Sequence, residues 1–118
     1  MTALDPAQLV GLGGAAGAVL RYGVSRALAG RAFPVATLAV NAVGSFALAL
    51  VTFANAGDAV LLAVGTGACG SFTTFSSFAF ETVRLWEGGD RRLAAVNALG
   101  NLAAAGVGIG LAWLLVAG

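Results

Sequence analysis

The chain contains no histidine and a single cysteine, Cys69. The imidazole and thiolate sets that hold transition metals are therefore missing, and no intrachain disulfide can form. Charge is scarce as well, at 9% of residues, against about a quarter in an ordinary soluble domain. Residues 32–57, 59–80 and 93–118 carry no charge at all. Each of those stretches exceeds the roughly 20 residues that a membrane-crossing helix needs. The net charge of +1 argues against a nucleic acid as partner. No pairing of a nucleophile with a base is recognisable, so an enzyme is not expected. The opening MTALDPAQ has no basic stretch before the apolar run, which argues against a signal peptide.

What remains is apolar: 59% hydrophobic residues over 118 positions, with 18 glycines. The expected fold is an all-α membrane protein, a single domain over residues 1–118 in contact with lipid. Its four transmembrane helices are placed at about 7–28, 34–54, 59–86 and 93–116, which leaves no room for a soluble domain. Asp5 suits the cap and Pro6 the first turn of span 1. Gly13 and Gly17 have the spacing that lets another helix approach closely, within the subunit or across a dimer. Gly106 and Gly110 repeat it in span 4.

A few polar residues interrupt the spans. Arg21 and Asn41 each lie about seven residues from a helix end, roughly 10 Å deep at 1.5 Å per residue. Arg21 either faces a cavity or partner or snorkels to the interface. Asn41 either serves a polar path or hydrogen-bonds a neighbouring helix, and Ser45 shares its face one turn on. Glu81 is placed at a depth similar to Arg21, and an ion pair between them would lower the cost of both charges. Asn97 and Asn101 share a face with Ala105. All the polar positions fall toward loops one and three. Arg26, Arg31, Arg84, Arg91 and Arg92 flank those same loops, and no basic residue flanks loop two or a terminus. The positive-inside rule then puts loops one and three in the cytoplasm and both termini outside.

The most unusual stretch is GTGACGSFTTFSSF, residues 65–78. It places glycines and hydroxyls inside a span, where irregular backbone is tolerated only if buried in protein or lining a cavity. It predicts a third helix broken near the bilayer midplane. Unwound carbonyls at such breaks coordinate cations, and oxygen donors suit a hard cation such as sodium. Gly70 and Thr73 are the expected carbonyl donors. Phe75 and Phe78 share one helical face and can turn positive ring edges to a small anion, or they can simply pack. Because one subunit supplies only half of a polar path, an oppositely inserted partner is expected to supply the rest.

These residues resemble the CrcB/Fluc family of fluoride channels. The resemblance runs over nearly the whole chain: Gly17–Arg21 in span 1, the run Asn41–Phe46 in span 2, and above all GSFTTFSSF at Gly70–Phe78. It implies an antiparallel dimer with two fluoride pores and a central sodium. By motif position, Phe75 and Phe78 are the pore aromatics, Asn41 the pore asparagine, Ser76 and Ser77 the hydroxyl track, and Arg21 the vestibule arginine. Gly70 and Thr73 match the sodium ligands. Span 4 departs from the pattern, since Ala105, Gly106 and Gly108 carry no hydroxyl.

The one-sided arginines favour a fixed orientation, hence a paralogue rather than an identical chain as the second CrcB-type subunit. Two other functions compete. A small proton-coupled exporter of cationic drugs needs a membrane carboxylate, and span 1 offers Arg21 instead. A non-conducting partner subunit explains the glycine stripes but not GSFTTFSSF.

Overall fold

The computed structural model describes residues 3–118, and those are helical almost throughout. Helix α1 spans Pro6–Ala27. Asp5 accepts from the Gln8 backbone N–H at 2.9 Å, and the Gln8 side chain accepts from the Asp5 N–H at 3.0 Å. This reciprocal pair satisfies two donors that a helix start otherwise leaves open. Helix α2 spans Val35–Phe53, directly after Pro34. Helix α3 starts as Asp58–Val60, widens into a π-helix over Leu61–Cys69 and closes with the turn Gly70–Phe72. Helix α4 spans Phe75–Glu87, and α5 spans Arg91–Ala117.

Among the described residues, three helical stretches are long and apolar enough to cross a membrane: Val35–Phe53, the interrupted Asp58–Glu87, and Arg91–Ala117. The glycines, Gln8, Arg21 and Arg26 of α1 keep its hydropathy lower. The chain is therefore an all-helical, multi-pass membrane protein.

The third helix is interrupted within the expected stretch 65–78, though not at its glycines. They bring helices together instead. A Cβ at Gly13 would collide with the Ala63 carbonyl, and one at Gly17 with the Ala68 carbonyl and the Ser71 hydroxyl. From the other side, a Cβ at Gly67 would sit 2.7 Å from the Val10 oxygen. So α1 and α3 touch backbone to backbone, the arrangement that small residues permit where lipid offers no hydrophobic drive. Ser71 seals the contact by donating to the Gly14 carbonyl at 2.6 Å. The Gly13–Gly17 stripe thus packs within the subunit. Gly106 and Gly110 have open space beside them. Replacing Gly13 with leucine should lower thermal stability in detergent by about 1–3 kcal/mol, the usual cost of overpacking. Gly11→Ala, with nothing within 4 Å, should leave the melting temperature almost unchanged.

The interruption falls three positions past the last glycine of the stretch, where Thr73 and Thr74 are extended at φ −78°, ψ 160° and φ −149°, ψ 119°. It also changes partners. Ahead of it, α3 packs on α1; beyond it, α4 packs on α5. Helix α5 lies along α2, with Gly108 close to the Ala42 carbonyl and Phe53 meeting Trp113 edge to face at 5.5 Å.

The buried interior is made of small or polar residues: Val40, Ala49, Cys69, Ala94 and Ala112, with Thr37, Thr74, Asn97 and Asn101. Bulky apolar side chains such as Leu12, Leu99, Leu102 and Leu115 point outward. This reverses the soluble pattern. The molecule measures 57 × 32 × 20 Å, so its thin dimension is about two helix diameters.

Candidate functional site

The site grows from the extended pair Thr73–Thr74. Thr74 caps α4 by accepting from the Ser77 N–H at 3.2 Å through its hydroxyl. Its own N–H donates to Asn41 Oδ1 at 2.8 Å, and its carbonyl accepts from Asn41 Nδ2 at 3.1 Å. The Asn41 amide therefore pairs with the exposed peptide edge as a neighbouring strand would. This pairing satisfies the polar groups that an unwound segment leaves open, which apolar surroundings otherwise penalise.

The carbonyls of residues 70–73 lose their helical donors as a result. In an α-helix the Gly70 carbonyl accepts from residue 74 and the Thr73 carbonyl from residue 77. Here those N–H groups are turned to Asn41 Oδ1 and the Thr74 hydroxyl. Gly70 and Thr73, the pair expected from the sequence to present carbonyl oxygens, are two of these four residues. Gly70 has open space beside it. Among the described residues no cluster of His, Cys, Asp or Glu side chains is placed to hold a metal. Neutral carbonyls are the donors on offer, and they fit a hard monovalent cation.

A groove of about 720 Å³ opens along this region, lined by Asn41, Ser45, Gly70, Thr73, Phe75 and Phe78 among others. The Phe75 and Phe78 rings lie 5.8 Å apart, tilted at 52°. Phe75 is 78% exposed, so it points away from the rest of the chain and contributes little to the packing there.

The expected pore residues do not all meet. Ser76, Ser77 and Arg21 line a separate cleft of about 380 Å³, together with Tyr22, Ser25 and Thr37. Thr74 lines both depressions. The split follows from helical geometry, since Ser76 and Ser77 turn away from the face that Phe75 and Phe78 share. The expected Arg21–Glu81 pairing is also replaced. Glu81 takes a hydrogen bond from the Thr37 hydroxyl and lines a third depression with Arg31 and Arg84, whereas Arg21 lines the Ser76–Ser77 cleft.

Asn97 and Asn101 join the site more deeply than their spacing alone suggests. Asn41 Nδ2 also donates to Asn101 Oδ1 at 3.1 Å. Asn101 Nδ2 donates to Asn97, to its carbonyl at 2.8 Å and its Oδ1 at 3.0 Å. Asn97 Nδ2 donates to Thr82 Oγ1 at 2.8 Å. Both Asn41 amide hydrogens are thus engaged, one on Thr74 and one on Asn101. Thr37 and Thr82 had no part in the sequence reading. The signal for Thr37 was its place one turn before Asn41 on the same face.

The chain matches the family model described as CrcB-like protein, Camphor Resistance (CrcB), over residues 8–116. It is 64% identical over 117 residues to the fluoride-specific ion channel FluC 2 of Haloarcula marismortui, covering 98% of each chain. It is 54% identical over 112 residues to the fluoride-specific ion channel FluC 1 of Halobacterium salinarum, covering 95% of this chain and 94% of that one. A bacterial relative, the fluoride-specific ion channel FluC of Magnetococcus marinus, is 43% identical over 101 residues, or 79% and 82% of the two chains.

Proposed function

This chain belongs to the CrcB-like family, whose members are ion channels and not enzymes, and from that premise we propose that it conducts fluoride passively through the membrane. The observation that carries the proposal is the break at Thr73–Thr74. One local departure from the helix frees the Gly70 and Thr73 carbonyls, fixes Asn41 and turns Phe75 outward.

In this reading α1 is a fourth span beside the three apolar ones. Two chains of the family lie antiparallel, with their third helices meeting near the midplane. The slab shape, the outward Phe75 and the two open depressions are what such a partner would cover. A sodium ion held by Gly70 and Thr73 carbonyls from both chains would supply a fixed positive charge that eases an anion's entry into a medium of low dielectric. Arg21, Ser76 and Ser77 offer charged and hydroxyl donors in their cleft. Phe75 and Phe78 offer ring edges in the groove. Fluoride would exchange its hydration water for these donors, and a close-set file of them would suit its small radius better than chloride. Fluoride would leave the cell passively down its gradient. The arginine asymmetry supports loops one and three in the cytoplasm, termini outside, and a paralogue as the opposite subunit.

The deciding experiment is fluoride efflux from liposomes, with this chain alone and with a co-expressed homologue. Efflux only with the homologue supports the paired form, and robust efflux from the chain alone sinks that form but not the channel. No fluoride efflux in either case, or proton-coupled uptake of a lipophilic cation, defeats the channel reading. For the cation, removal of sodium should lower the melting temperature of the assembled channel. Restoring sodium to about 100 times its dissociation constant should return roughly 2.7 kcal/mol; indifference to sodium would remove the ion from the proposal.

A further inference from the structure

We infer that Asn97 is a positioning residue for the aromatic pair, acting through Thr82 as the last link of a one-way amide brace around the helix break. The inference rests on the channel reading, because its readout is ion flux.

The brace begins at the Thr74 N–H, a main-chain group that can only donate. Asn41 must therefore turn its oxygen toward Thr74, which sends its NH2 to the Thr74 carbonyl and to Asn101 Oδ1. With its oxygen so occupied, Asn101 turns its own NH2 to Asn97. Asn97 Oδ1 accepts there, which leaves its NH2 to donate to Thr82 Oγ1. The Thr82 hydroxyl then donates to the Phe78 carbonyl at 2.7 Å. That last group can only accept. A fixed donor at one end and a fixed acceptor at the other set the orientation of every amide between them. Turning any one amide over breaks bonds on both of its sides. Chains aligned in this way also strengthen their members cooperatively.

Both ends of the brace lie on the same short helix. Thr74 is the cap of α4, and Phe78 and Thr82 are in its following turns. The route between them leaves α4, crosses α2 at Asn41, passes down α5 and returns. It therefore clamps the segment 74–82, which carries Phe75 and Phe78, at its two ends. The near end is held by Asn41, which lines the groove. The far end is held by Asn97, which is fully buried at 0% exposure and lines neither the groove nor the cleft. Asn97 has no route to an ion, so its influence on conduction passes through Thr82 and the placement of Phe78. Cutting the link with Asn97→Leu leaves the neighbouring backbone contacts in place, whereas Thr82→Val also leaves the buried Asn97 NH2 without its acceptor. In Asn97→Leu, Asn101 keeps the carbonyl of residue 97, and Thr82 keeps its bond to Phe78.

The test is a double-mutant cycle on fluoride and chloride efflux, run in whichever form of the channel conducts. Asn97→Leu and Thr82→Val should each lower fluoride efflux about tenfold at equal amounts of folded protein, the effect of losing one buried hydrogen bond's positioning. The double variant should lose less than the product of the two single losses, since both changes remove the Asn97–Thr82 link, while each also removes one bond of its own, from Asn101 in Asn97→Leu and to the Phe78 carbonyl in Thr82→Val. The ratio of fluoride to chloride efflux should fall in all three, whereas a role in folding alone would leave both rates and their ratio unchanged at equal amounts of folded protein. Additive losses, an unchanged ratio or wild-type flux in either single variant overturns the inference. Should Asn97→Leu not fold, Thr82→Val decides by the same flux and ratio. A wild-type channel that passes no fluoride removes the channel reading and this inference together. A conducting wild type with indifferent variants removes the inference alone.

Discussion

Replacing Phe75 with isoleucine is expected to cut fluoride efflux at least about tenfold while leaving the subunit's own stability nearly intact. The two halves of this expectation come from different observations. Phe75 is 78% exposed in its subunit, so truncating the ring removes little packing there and opens no interior cavity. Any loss of flux can then be read as a loss at the conduction path. The size of the loss follows from what the ring offers. An aromatic edge is positive and an aliphatic branch is not. An ion that has left water for a medium of low dielectric feels that difference far more strongly than it would in solution. A change of about 1.4 kcal/mol in the barrier is enough for tenfold. Phe78→Ile should act in the same direction and also loosen Phe75, because the rings lean on each other at 5.8 Å. Initial efflux rates from liposomes, normalised to folded protein, measure both variants. Wild-type rates for either would take that ring out of the pathway.

The sequence made some of this arrangement readable and hid the rest, for physical reasons. The long uncharged stretches announced membrane helices because nothing else tolerates such runs. GSFTTFSSF announced a break because hydroxyls and glycines have no use on a lipid-facing helix. The place of the break was less legible. Glycine weakens a helix in isolation, but Gly13, Gly17 and Gly67 are used for close approach, a tertiary demand that no local pattern reveals. The threonines unwind instead, because Thr74 has a cap to make and Asn41 waits across the interface.

Depth along a helix was readable from residue counting, but rotation about the axis was not. Arg21 and Glu81 were placed at matching depths, yet they line different depressions. Thr37 had the correct rotation to reach Glu81. Similarly, Ser76 and Ser77 adjoin Phe75 in sequence but face the Arg21 cleft. Adjacent residues on a helix point about 100° apart, so contiguity in a motif is weak evidence of a shared cavity. Asn97 and Asn101 were legible as a pair one turn apart. Their direction was not, because it is imposed by Thr74 from another helix.

The second large effect concerns Asn41, where even a near-isosteric change should be severe. Asn41→Asp keeps an oxygen for the Thr74 N–H but has no hydrogens to give. The Thr74 carbonyl and Asn101 Oδ1, which now accept from Nδ2, would each face a second acceptor in place of a donor. Asn101 cannot turn over to help without giving up its bonds to Asn97. Two groups on buried residues left without partners cost about 1–3 kcal/mol apiece, and a charge among them costs more. Asn41→Leu removes the charge but orphans the Thr74 N–H as well. Both variants should therefore lose fluoride efflux about a hundredfold or more, the equivalent of about 2.7 kcal/mol, and Asn41→Leu should also melt earlier in detergent. Asn41→Asp tests this account against one in which any polar side chain at the groove suffices, because it preserves size and polarity while removing both amide donors and adding a charge. If Asn41→Asp conducted fluoride like the wild type, the amide hydrogens would not be what holds the break in place. The one-way chain through Asn101 would then lose its first link.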